Sequence, residues 1–193
     1  SGVGSRVAPD FLRRFIASPS ASHAGTTMPD LLAAETEEQR NKIAEAVTHF
    51  LVAQSPRKFQ REAIGDKEAS VGKALFHSVG CVVCHSPRDD TGKELTHEGV
   101  VELGHLPAKY SLASLGDFLL QPARIRPSGR MPDMKLTPVE AKAVASYLMM
   151  ASAMESTSSS LPPIRNIAVS MRYPCSQGLL PNTMAFIALC FLV

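Results

Sequence analysis

The run Cys81-Val82-Val83-Cys84-His85 constrains this chain more than any other feature. Two cysteines separated by two residues, with histidine immediately behind, form the attachment pattern for a c-type haem. The spacing has a chemical reason. Both thiols can add to the two vinyl groups of one porphyrin, and the adjacent imidazole then falls under the iron as an axial ligand. Other uses of a CxxC pair fit less well. A structural zinc needs two further ligands at tight spacing, typically a second CxxC or an HxxxH, and the sequence holds neither. A thioredoxin-like dithiol belongs between a strand and a helix in a βαβ pattern, yet no β-rich run precedes Cys81.

Composition agrees with a cofactor-filled core. Apolar residues make up 45% of the 193, enough to bury a core, but aromatics are only 6% and tryptophan is absent. A buried porphyrin would supply the missing apolar bulk. The formal net charge of +2 gives no case for nucleic acid or for strong attraction to anionic lipid, and leaves membrane association open. Covalent haem attachment takes place outside the bacterial cytoplasm, so the motif implies export to the periplasm or another extracytoplasmic compartment. The chain opens Ser-Gly-Val-Gly-Ser with no charged n-region or apolar h-region. We therefore read it as a piece of a longer protein.

Periodicity predicts an all-α fold. Helices are expected over 10–17 and 35–53, the latter with Ile43, Ala46, Val47, Phe50 and Leu51 on one apolar face. Residues 54–69 are polar and suit a linker or a short covering helix. A helix from about Glu68 through Val71, Ala74, Leu75 and Phe76 leads into the cysteine motif. Residues 86–107 read as a loop, 111–120 as a helix, and 121–132 as an extended loop broken by Pro122, Pro127, Gly129 and Pro132. Thr137-Pro138-Val139-Glu140 is a helix start, with a Thr N-cap, Pro at N1 and Glu at N3. Past Glu155 the chain turns Ser- and Pro-rich and ends in an apolar run from Met184 to Val193, too short to span a bilayer. Cys175 and Cys190 lie in this tail, and nothing in the sequence pairs them.

An internal echo organises the chain. Phe11-Leu12, Pro19, Gly25 and Met28-Pro29-Asp30 precede a helical run ending in Phe50-Leu51. Phe118-Leu119, Pro122, Gly129 and Met131-Pro132-Asp133 precede one ending in Tyr147-Leu148. The expected layout is residues 1–53 as the back half of an upstream haem unit lacking its CxxCH, 54–67 as linker, 68–152 as the haem domain, and 153–193 as linker and irregular tail. Met28 would then be an orphan ligand whose iron lies with the missing half.

From Gly72 and Phe76 through Cys81–His85 and Met131-Pro132 to Tyr147-Leu148, the chain resembles the class I, mitochondrial-type c cytochromes over about residues 68–152. That resemblance implies a helical domain around covalent haem c, attached through Cys81 and Cys84. It also implies His85 as proximal and Met131 as distal iron ligand, and a helix crossing at Gly72 flanked by Phe76 and Tyr147. A thioether ligand favours the reduced iron. Met134, His97 and His105 are the competing distal ligands, since methionine commonly serves as flexible core filling. Arg126 and Arg130 stand before the ligand loop, either as forks for haem propionates or as solvated surface. Leu75, Tyr110, Phe118 and Leu119 are candidate pocket walls. The function expected is single-electron relay between a redox donor and an acceptor, with neighbouring haem domains in the same longer chain. A haem domain of a peroxidase or dehydrogenase is the enzymatic alternative, and haem as a structural anchor in a binding protein a weaker third.

Overall fold

The computed structural model describes residues 2–23, 25–89 and 93–151; the expected tail, with Cys175 and Cys190, lies outside them. Regular structure among these residues is helical, and β pairing is confined to isolated bridges. Eight α-helices follow in order: α1 Pro9–Ala17, α2 Pro19–Ser22, α3 Glu37–Ala53, α4 Asp66–Ser78, α5 Leu106–Lys109, α6 Leu112–Leu120, α7 Pro122–Ile125 and α8 Pro138–Ala151. The fold is all-α, and none of these helices is long and apolar enough to cross a membrane.

Local chemistry sets the boundaries. Thr36 caps α3 by accepting from Gln39 N at 3.3 Å, while the Gln39 side chain accepts from Thr36 N at 3.4 Å. At α8, Thr137 Oγ1 accepts from Glu140 N at 3.3 Å and Glu140 Oε2 accepts from Thr137 N at 2.8 Å. Thr137→Ala should therefore cost about 1 kcal/mol, read as a shift of the urea midpoint at constant slope. The end of α4 is set by Gly80, whose φ of 96° reverses the chain straight into the cysteine motif. Pro122, expected to break structure, instead begins a turn of helix, because a proline at N1 has no N–H to waste.

The larger core is built by α4 and α6 against α8, around Phe76, Leu115, Leu119, Val144, Tyr147 and Leu148. Gly72 lies where α4 crosses α8: a Cβ there would run into the Ala143 carbonyl oxygen and stand 2.9 Å from Tyr147 Cβ. This contact lets the Phe76 and Tyr147 rings pack at 5.5 Å, tilted by 57°, as the family resemblance implied. A smaller core of Ile16, Leu32, Ala44 and Val47 joins α1 to α3. Between the two, residues 54–65 form a strap rather than a free linker. Ile64 packs on the larger core, and the Glu62 carboxylate accepts from Leu112 N at 2.9 Å, adding a negative group at the α6 N-terminus.

The echo seen in the sequence is also an echo of structure. At one constant separation along the chain, Val3 matches Leu106, Pro9 matches Leu112, Pro19 matches Pro122, Met28 matches Met131 and Asp30 matches Asp133. Val7 N donates to Val3 O as Tyr110 N does to Leu106 O, both at 2.9 Å. Asp30 Oδ1 accepts from Leu32 N at 3.1 Å, and Asp133 Oδ1 from Lys135 N at 2.9 Å. This register corrects the expected pairing of Phe11-Leu12 with Phe118-Leu119. Phe15-Ile16 takes that place, and Leu12 matches Leu115, one helical turn earlier. Gly25 and Gly129 also fall out of register, and only Gly25 has a positive φ, 75°.

One expectation about α3 fails. Ala44 and Val47 are buried, and Ile43 and Leu51 pack beside them, but Ala46 is exposed and Phe50 is 51% exposed. Periodicity marks an apolar face, not whether a partner covers all of it.

Candidate functional site

The cysteine motif is held on a short 3-10 turn, Cys81–Val83, directly after the glycine stop of α4. His85 N donates back to Cys81 O at 3.0 Å, and Val101 N donates to Cys84 O at 2.7 Å. Val101 then performs a second task, placing its carbonyl oxygen 3.2 Å from His85 Nδ1. With the proton on Nδ1, that bond fixes the ring and leaves Nε2 as the donor atom for a metal. Cys81 is half-buried and Cys84 exposed, and burial pushes the Cys81 thiol above its ordinary value.

Sequence reasoning missed the device that pins the segment just beyond Val101, whose own carbonyl also accepts from Ser86 N at 3.3 Å. Arg88 and Glu94 form a buried ion pair at 2.7 Å, with side chains 2% and 13% exposed. Arg88 Nη2 also donates to Gly104 O at 2.7 Å, and Glu94 accepts from Leu103 N at 3.1 Å. The backbone N of Arg88 donates to the Tyr147 hydroxyl at 3.4 Å, which ties the loop to α8. The expected featureless loop over 86–107 is thus clamped at its middle.

Met131 is half-buried and packs against the larger core, as do Cys81, Val82, Leu75, Leu103, Tyr110, Phe118 and Leu136. Of the expected pocket walls, Leu75, Tyr110 and Phe118 belong to this half-covered set, while Leu119 is wholly core. Met134 is half-buried but is not among the described side chains packed on this core. His97 is exposed, and His105 keeps a buried Nε2 without a hydrogen-bond partner. Arg126 and Arg130 are exposed. Thiols, imidazole and thioether set among half-covered apolar side chains are what a porphyrin requires: covalent anchors, soft and borderline iron donors, and walls that exclude water. The residues present fit the group.

Such donors on an all-α unit are the residue types that a covalently held haem needs. Residues 69–152 match the family model described as Cytochrome c, so this part of the chain is a cytochrome c domain. No curated protein and no solved structure shows a significant match to the chain. Haem c, with its iron, is the cofactor of such a domain, and electron transfer through the haem to and from redox partners is its activity.

Proposed function

We propose that the domain relays single electrons through a haem c attached at Cys81 and Cys84, with His85 and Met131 as axial ligands. When bound, the haem supplies an Fe(III)/Fe(II) couple that takes one electron from a donor protein and yields one to an acceptor. The chain's own residues do the rest. The Val101 carbonyl orients His85, and Leu75, Tyr110 and Phe118 keep water from the ring. Met131 would offer its thioether to the iron, together with the His85 imidazole. With both donors engaged, the haem would exchange electrons without taking a substrate, which favours a carrier over a peroxidase or dehydrogenase domain. The observation that carries the reading is that Met131 and Cys81 pack on one apolar core while the imidazole is already oriented.

We further infer that the domain works outside the cytoplasm, in the bacterial periplasm, as a module of a longer exported redox protein. In this reading residues 1–53 are the back half of a second cytochrome unit, 54–67 join it to the haem domain at 68–152, and 153–193 lead away from it. The support is the constant register of the two halves, extending from Val3 and Leu106 to Leu32 and Lys135.

The test is spectroscopic. Chain matured with the periplasmic attachment machinery should be red, retain its pigment in acidified acetone, and show low-spin iron with a methionine–iron charge-transfer band. Met131→Leu should abolish that band and open the iron to cyanide, whereas Met134→Leu and His105→Gln should leave it intact. Persistence of the band in Met131→Leu would refute the assignment.

A further inference from the structure

The junction between the two halves collects cations. Val7 bridges Tyr110 there, and Ala8 N donates to Lys109 O at 2.8 Å. Lys109 reaches aromatic rings from both halves, its Nζ 5.2 Å from the Phe11 centroid and 5.0 Å from that of Tyr110. His23 stands in the field of the same lysine and of Arg126; desolvation first, and these charges second, hold its imidazole below the ordinary value. Arg6, next to the bridge, keeps a buried Nε without a hydrogen-bond partner. In the register that matches Val3 to Leu106, Arg6 is the counterpart of Lys109 and His23 that of Arg126. None of the four is paired with a carboxylate among the described residues. Like charges gathered in this way oppose one another until an anion shares them. Tyr110 connects the cluster to the haem pocket, because its ring is a half-covered wall on the same core as Met131 and Cys81.

We propose that Arg6 and His23 of the first half join Lys109 and Arg126 of the second in one seat for a pair of carboxylates, and that the two haem propionates occupy it. This rests on the haem reading above and adds that residues 1–53 serve the haem of the domain that follows them. Guanidinium groups fork onto carboxylates and the lysine adds a point charge; His23 adds a proton that can come and go. One electron taken from the donor protein places a further negative charge beside the seat. His23 therefore takes up one proton from water on reduction and returns it on oxidation.

The sign is fixed by that charge. The His23 pKa is higher in the reduced than in the oxidised protein, so the midpoint potential falls as pH rises between the two values. Redox titration of the matured chain across pH, with the His23 ring followed by proton NMR, reads both. His23→Gln should flatten the slope, whereas His49→Gln, beside Glu45 on α3, should leave it. Arg6→Gln should weaken the reduced form about threefold, the size of a partly exposed charge pair, or ~28 mV for one electron. Arg6→Lys should restore the potential, and Lys42→Gln, an exposed cation on α3, should not move it. Should Arg6→Gln fail to mature, Arg126→Gln carries the same expectation from an exposed position. Inorganic phosphate should change neither reading, since the seat is filled. A saturable rise of the His23 pKa with phosphate would put a free anion there and overturn the assignment. So would a potential indifferent to pH and to Arg6→Gln while the methionine–iron band persists. A chain that lacks the band yet keeps the Arg6 and His23 effects supports the seat and faults the Met131 ligation instead.

Discussion

Arg88→Met should destabilise the haem domain by about 3–5 kcal/mol, the cost of stranding one member of a buried ion pair. Glu94 would keep its bond from Leu103 N but lose the guanidinium 2.7 Å away. With Arg88 gone, the Gly104 carbonyl also loses the donor it now meets at 2.7 Å. The measurement is urea unfolding of the matured protein, compared with Glu94→Leu and the double variant. Two apolar residues of similar volume can replace a buried pair at little cost, so the double variant should recover most of the loss. A loss below about 1 kcal/mol, typical of surface pairs, would show that the clamp is not structural. Because the pair fixes the segment that presents Val101 to His85, the single variant should also broaden the haem spectrum before it unfolds.

Gly72→Ala should cost about 3 kcal/mol, the upper end for overpacking. Helix propensity alone argues the other way, since alanine in a helix is worth about 1 kcal/mol over glycine. The clash wins because the atom in the way is the Ala143 carbonyl oxygen, which cannot rotate aside as a side chain could. To admit the methyl group, α4 and α8 must part, loosening the Phe76–Tyr147 contact on which the core is centred. Gly116→Ala gives the control of opposite sign. Beyond its chain neighbours and the backbone of its own helix, no atom lies within 4 Å of its added Cβ, so propensity should dominate and stability rise by about 0.5–1 kcal/mol. Equal effects at the two glycines would sink the close-approach argument.

How much of this was legible in the sequence depended on whether the signal was local. The α8 start at Thr137 and Glu140 is short-range chemistry and stands where the residues placed it. The Arg88–Glu94 clamp was not legible, because two charged residues in a polar stretch look solvated until the fold encloses them. The pairing of the two halves slipped by one turn in the first helix because Phe11-Leu12 and Phe15-Ile16 are near-equivalent apolar pairs four residues apart on one helix. Phe50 misled for a different reason. Its spacing marks one apolar face of α3, but the core there takes only Ala44 and Val47 with Ile43 and Leu51, and the ring stays 51% exposed.

Val7 forms an antiparallel bridge with Tyr110, which is its own counterpart in the other half. A residue that meets its equivalent in this way sits on a local half-turn, and such a contact is self-complementary. Both members of the patch are consumed in this one bridge, so under the repeat reading proposed above neither is left over for a further contact of the same kind.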